Sequence, residues 1–379
     1  MKHAAEIAHF RQLCCLGIAS QTVMPSLLKS LHGLVGSTSN SFYWAAENGD
    51  ITNVYMEQLL PKDIAAYFFK EFVNNRTREF SALDLRKYLP NGQVVGNAAK
   101  VFPKSFLRSD VYNLIWRPQS RKQLLWARVR DAQGHANGIA LSRVVGDAKF
   151  SERDEQLLTQ LVPYLAHALN ARPATPTQMV DGGESAVVVL NRRGEIEHES
   201  AEGRHLLLLA AHPRIAPGAV DWRGDSVVPQ VLVNLLERID AIDAGRAALP
   251  PAIELQNPWG KFVLRAYPMQ STGTAGGPVI VVIERHVPLK LKLLNAMQFL
   301  PLSARQKEVC LLLSEGFGYQ SLAERLGVTP NTIVDHVRKI YDKLDVRNHH
   351  ELFSKLAQGA HSIAPVSQLR HYRPGTNKV

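Results

Sequence analysis

Asn331, Thr332, Val334, Asp335, Arg338, Lys339 and Lys343 crowd into one short segment, with Thr329 just ahead of them. Their chemistry is that of contact with a double helix. A guanidinium such as Arg338 can pair bidentately with a guanine edge, and ammonium groups such as Lys339 and Lys343 neutralise phosphates. Such residues act only if something holds them on one rigid, exposed face.

The flanking sequence supplies that support. Ser303 and Gln306 make an S-x-x-Q capping box, in which the hydroxyl takes the N3 amide and the glutamine returns to the N-cap amide. Val309, Leu312 and Leu313 then repeat at helical spacing, and Gly316 stops that helix. Leu322, Ala323 and Leu326 mark a short second helix ended by Gly327. Thr329 is an N-cap and Pro330 sits at N1, where its missing N–H is not needed. A third helix is expected from Pro330 to Leu344, burying Ile333, Val337, Ile340 and Leu344 and turning its polar residues outward. A short helix, a tight turn and a helix polar on its outer face give the geometry of a recognition helix in the major groove. Asn348 with Glu351 opens a fourth helix that should bury Leu352, Phe353 and Leu356.

The segment resembles the DNA-binding domain of LuxR-type (LuxR/FixJ) regulators. The matching residues are Leu302-Ser303-x-Arg305-x-x-Glu308-Val309, Gly316, Ala323-Glu324-x-Leu326, Thr332-Ile333-x-x-His336, Ile340-Tyr341-x-Lys343-Leu344 and Val346. The chain departs from the usual pattern at Val334, often Lys in the family, and at Lys339, often Asn. With Val334 and Asp335 at the base-facing positions, the sequence read should differ from that of commoner members. The resemblance implies a double-stranded DNA operator, a homodimer with a contact on the fourth helix, and an RNA polymerase contact. It carries over Thr329, Asn331, Thr332, Val334, Asp335, Arg338, Lys339 and Lys343 as DNA-binding residues. A small helical bundle that binds protein is the bland alternative, and the basic surface argues against it.

Charge falls on the same side. From Lys290 onward there are thirteen Lys and Arg against seven Asp and Glu, an excess of +6 out of the chain's formal +10. Positive charge gathered on one domain is the electrostatic footprint of phosphate contact.

The 379 residues have room for two or three domains, and 45% apolar content is that of a globular chain. No run of about eighteen apolar residues occurs, so no membrane span is expected. The N-terminus is read as a helix, not a signal peptide, because Glu6, His9, Arg11 and Gln12 interrupt its apolar patch. Cys14, Cys15 and Cys310 fit neither a disulfide framework nor a metal or redox spacing, which points to a reducing cytoplasm. No metal, no cofactor and no catalytic constellation is expected: there is no phosphate loop, no G-x-S-x-G elbow and no alternating receiver pattern.

The expected class is α+β multidomain, ending in an all-α four-helix domain. A first region, 1–171, begins with helices that include Leu27, Leu28, Leu31 and Leu34. It continues with a hairpin about Glu47-Asn48-Gly49-Asp50, a strand at 110–116, a second strand pair about Gln133-Gly134-His135, and a closing helix capped by Ser151 and Asp154. Its end resembles that of GAF domains. Residues 172–184 read as a linker. A second region, 185–286, opens with a strand, a turn at Asn191–Gly194, a short strand and a helix, and closes with two strands around a 271–277 loop. It resembles a PAS domain. Residues 287–300 read as a helical connector with Leu289, Leu293, Ala296, Met297 and Leu300 on one face. The DNA-binding domain occupies 301–360, and 361–379 is a flexible basic tail. No internal repeat is visible.

Both resemblances imply sensing, so a small-molecule ligand in the sensor region is expected. Phe42, Tyr43, Trp44, Tyr67, Phe68, Phe69, Tyr112, Trp116 and Trp126, with Trp222, Trp259 and Tyr267, are candidate pocket aromatics, though each is first a core residue. His167 and His198 read as ordinary half-buried residues. Two alternatives stay open: a constitutive or protein-regulated regulator without a ligand, and an enzyme with an appended DNA domain.

Overall fold

The computed structural model of the chain describes residues 2–73, 89, 92–171, 178–217, 219–220, 229–269 and 277–359. The tail, Trp222, and most of the 271–277 loop lie outside the described residues, as does the start of the 172–184 segment. The chain divides into two compact units, Met1–Leu294 and Asn295–Val379.

The first unit is built on two antiparallel sheets. Helices α1 (Lys2–Cys14) and α2 (Ser20–Val35) lead into β1 (Ser39–Ala45) and β2 (Ile51–Met56). The hairpin forms where Asn48-Gly49-Asp50 places it: Gly49 takes φ +88°, and the Asn48 side chain accepts from the Asp50 amide. A helical stretch follows, α3 (Lys62–Phe68), continuing as a π-turn over Phe69–Val73. After β3 (Val95–Asn97) come α4 (Ala98–Val101), a 3-10 turn at Lys104–Arg108 and a π-helical turn at Val111–Trp116. Strands β4 (Arg121–Arg130) and β5 (Ala136–Val144) complete a sheet of order β2-β1-β5-β4-β3, and α5 (Glu152–Leu169) packs on β3 and β4.

One expectation fails here. Residues 111–116 are helical, not a strand. Their β-branched and aromatic composition suits a strand, but Val111, Ile115 and Trp116 are the buried set, which is helical spacing. The α5 cap forms as expected, with a reciprocal Ser151–Asp154 box. Gly96 is required by its neighbour: a Cβ there would lie 2.4 Å from the Trp126 ring on the adjacent strand.

The second sheet runs through β6 (Met179–Leu190), β7 (Ile196–Glu199), β8 (Ala252–Asn257), β9 (Gly260–Pro268) and β10 (Val279–Pro288), with α6 (Ala201–Ala211) and α7 (Gln230–Asp243) between β7 and β8. Its order is β7-β6-β10-β9-β8. Counted within each set of five, both sheets have the same order, so the topology repeats although the residues do not. Strand β6 starts at Met179, inside the segment read as linker. Met179, Val180 and Asp181 pair with Pro288, Val287 and His286, so these backbone groups are held in a ladder.

The two sheets are fastened within this unit by buried polar contacts. The Thr22 hydroxyl donates to Pro258 O at 2.7 Å, and the Val54 amide to Ile215 O at 2.8 Å. Tyr55 packs on His205 and Trp259, with ring centroids 5.2 and 5.8 Å away. Arg285, only 2% exposed, donates to Trp259 O, to Thr22 O and to Glu184.

Burial beside this cluster pushes the His205 imidazole down to about 4. A histidine depressed in this way stays neutral in the fold while the unfolded chain takes up a proton below about pH 6.5. Its contribution is therefore complete above that value and is lost as pH falls from 6.5 towards 4. His32 runs the other way: although burial opposes it, Glu57 raises its pKa, so its contribution fades as pH rises. The difference between wild type and His205→Asn isolates the first effect. Between pH 7 and pH 5 the wild type should lose on the order of 1–2 kcal/mol more than the variant in urea unfolding. All five tryptophans precede residue 295, so their fluorescence reports on this unit.

A short helix, α8 (Leu289–Ala296), follows β10. The connector is helical, but only to Ala296, and its buried set is Leu291, Lys292, Leu293, Leu294 and Met297. Leu289, Ala296 and Leu300 are only half-buried. The expected single stripe is thus not what forms.

The second unit is all-helical: α9 (Ala304–Ser314), α10 (Tyr319–Leu326), α11 (Pro330–Leu344) and α12 (His349–Gly359). The Ser303–Gln306 box forms reciprocally. Gly327 ends α10 at φ +62°, a conformation glycine enters without a Cβ clash. Leu352 and Leu356 are buried as expected on α12, while Phe353 is half-buried. Among the described residues no helix is long and apolar enough to cross a membrane.

Candidate nucleic-acid interface

Helix α11 is set by its two ends and one stripe. The Thr329 hydroxyl accepts from the Thr332 amide at 3.2 Å, Pro330 occupies the first turn, and Asp345 closes the helix at φ +49°. Aspartate tolerates that left-handed conformation better than most residues. Lys355 from α12 donates to Leu344 O at 2.5 Å, placing a cation against the carbonyl end. Ile333, Val337, Ile340 and Leu344 are all at most 4% exposed. At about 100° per residue they span an arc of roughly 60°. Each buried side chain of this size stabilises the packing by about 1.5–3 kcal/mol.

The opposite arc holds four of the residues expected at the groove. Asn331, Val334, Asp335 and Arg338 are exposed, and Val334, at 49%, is a large apolar side chain left in solvent. Such a group can meet a thymine methyl. Arg338 has no hydrogen-bond or ion-pair partner among the described residues. Asp335 is held by Lys339 at 3.1 Å, and that ammonium keeps its carboxyl below the usual carboxylate range.

The other expected contacts are placed differently. Thr329 and Thr332 bond to each other, hydroxyl to hydroxyl at 2.9 Å, so both serve the cap. Lys343 donates to Gln306 Oε1 at 2.9 Å, tying α11 to the capping box of α9. Two supports were not among the expected contact residues. Arg305 pairs with Glu308 at 2.8 Å and donates to Leu326 O, fixing the end of α10 just before the turn. His349 stands against the Tyr319 and Tyr341 rings, each 6.2 Å away, joining α12 to α10 and α11.

These placements separate two lysine roles. Lys339→Ala should weaken binding to all duplex sequences alike and lower the salt slope of log K by about one unit. Lys343→Ala should do the same and also loosen the α9–α11 link, which lowers the unfolding midpoint of this unit. Salt titrations of binding to cognate and scrambled duplexes check both. An unchanged slope with lost sequence preference would reverse the assignment.

A packed stripe, an exposed polar face opposite it and a tight turn before it define a helix-turn-helix domain. Residues 300–356 match the family described as "Bacterial regulatory proteins, luxR family". The C-terminal unit therefore carries a LuxR-family helix-turn-helix DNA-binding domain. A comparison with curated proteins gives no match. Among solved structures, a Vibrio cholera VqmA–ligand–DNA complex is 17% identical, covering 52% of this chain and 90% of that one at a TM-score of 0.22. A Vibrio cholerae VqmA dimer without target DNA is 16% identical, covering 52% and 89% at 0.18. An E. coli DhaR(N)–DhaL complex is 12% identical, covering 74% and 88% at 0.24. Likenesses this faint add nothing to the fold derived above.

Proposed function

We propose that the chain is a dimeric, sequence-specific transcription regulator whose N-terminal unit senses a small molecule or a partner and sets operator binding through the helix-turn-helix domain. The observation that carries it is the exposed face of α11, with Asn331, Val334, Asp335 and Arg338 opposite a fully buried stripe. Asn331, Val334, Asp335 and Arg338 read base edges, and Lys339 and Lys343 position the backbone. Residues 1–171 act as a GAF-like sensor and 185–286 as a PAS-like one. The pairing of opening and closing strands, β1 with β5 and β6 with β10, supports that view. A constitutive regulator without a ligand is the alternative.

Selection from random duplexes should return an operator with two half-sites about one helical turn apart, near 34–36 Å. Sedimentation at saturating operator should then show two chains per duplex. One chain per duplex at saturation would defeat the dimer.

A further inference from the structure

The first sheet encloses a cavity on the face away from α2 and α5. Its floor is the sheet itself, with Ser41 and Tyr43 from β1, Ser142 from β5 and Arg121 from the start of β4. Five rings close it: Phe68, Phe72, Phe102, Phe106 and Trp116. The cavity volume is about 70 Å³. One ordered water needs only about 10–15 Å³ of such space.

Arg121 is the anomaly in this apolar chamber. A guanidinium has five donors and no acceptor. Among the described residues Arg121 uses one of its donors, to the Ser39 hydroxyl at 3.3 Å. Its Nε has less than 1 Å² of accessible surface and no partner. No carboxylate pairs with it among the described residues. Glu57 acts on it only at longer range and is already held by His32 at 2.9 Å and the Asn40 amide at 2.7 Å. A half-buried cation without a countercharge is costly, and the partial burial depresses its pKa.

Tyr43 stands beside it. Its phenolic oxygen accepts from Ser41 at 3.3 Å, and no described residue takes its proton. Burial raises the Tyr43 pKa, so the phenol stays protonated and able to donate. Among the described residues the polar corner thus presents unused donors and no paired negative charge, under a roof of aromatic rings.

We infer that this cavity binds a small aromatic monocarboxylate, its ring among Phe68, Phe72, Phe106 and Trp116 and its carboxylate on the unused terminal N–H groups of Arg121 and the Tyr43 hydroxyl. The carboxylate supplies the missing charge, and the pairing takes place away from water, where a charge-assisted hydrogen bond is strongest. The inference rests on the proposed sensing role only for its regulatory consequence; the binding itself stands apart.

The full chain is titrated calorimetrically with phenylacetate, its neutral isostere phenylacetamide, and acetate. Phenylacetate should bind once per chain, at least tenfold tighter than the amide, and acetate should bind more weakly than phenylacetate by a similar factor. Arg121→Met should abolish the preference for acid over amide while leaving amide binding within about threefold. Phe106→Ala should weaken both. Phenylacetate should also raise the melting temperature of the wild type and not of Arg121→Met. Equal affinity for acid and amide in the wild type, or no phenylacetate binding at millimolar concentration, overturns the inference without recourse to any variant. Operator titration with and without phenylacetate then tests the sensing role separately. Binding that leaves operator affinity unchanged sinks that role and leaves the site standing.

Discussion

Arg338→Ala should weaken cognate operator binding by about 1–3 kcal/mol, roughly five- to 150-fold, and leave binding to scrambled duplex nearly unchanged. The size follows from where the residue stands. At about 100° per residue, Arg338 lies roughly 40° from Val334 and 20° from Asn331 on the exposed arc of α11. It is exposed and, among the described residues, unpartnered, so its fork of donors is not spent inside the protein. Lys339 next to it is engaged with Asp335, and Lys343 with Gln306. Arg338 is also remote from the buried stripe, so the substitution should not move the unfolding midpoint. Mobility-shift titrations on cognate and scrambled duplex at one fixed salt concentration measure the effect. A parallel loss on both duplexes would make Arg338 a phosphate contact; no loss on either would remove it from the interface.

The part of the chain that carries this face was legible because its signals are local. A capping box spans four residues, a glycine stop is one residue, and the stripe Ile333, Val337, Ile340 and Leu344 repeats on one helix. The role of Lys343 was less visible, since its partner Gln306 lies on another helix. The first unit shows where local signals end. The run Val111–Trp116 has strand composition and helical burial, and only packing decides between them. Phe72, Phe102 and Phe106 join Phe68 and Trp116 around one cavity from scattered positions, so nothing in the sequence groups them. Arg121 is basic at a strand end, where solvent would be the default expectation. The shared order of the two sheets is a pattern of backbone pairing, which can be kept while every side chain differs.

Arg285 belongs to that same hidden class, and it carries the largest expected effect on stability. From β10 its guanidinium donates to Trp259 O at 2.9 and 2.7 Å, to Thr22 O at 3.2 Å and to Glu184 at 2.8 Å. Thr22 lies on α2, which packs on the first sheet; Trp259 lies just before β9 of the second. One side chain, 3% exposed, thus bridges both halves of the unit. Breaking a buried ionic contact from one side typically costs about 3–5 kcal/mol. Glu184 is 49% exposed and regains water when Arg285 is lost, which places Arg285→Ala near the lower end, about 3 kcal/mol. The larger part of that cost is the Trp259 carbonyl, which loses both of its Arg285 donors in the interior. Glu184→Gln should cost far less, because the half-exposed carboxylate is the replaceable partner and the carbonyl bonds persist. Urea unfolding followed by tryptophan fluorescence ranks the two variants. Helix α11 keeps its own caps and stripe, so DNA binding by the folded fraction should survive Arg285→Ala. A loss below about 1 kcal/mol for Arg285→Ala, or equal losses for the two variants, would show that the sheets are held together by apolar packing alone, with Trp44, Tyr55 and Trp259 sufficient to fasten them.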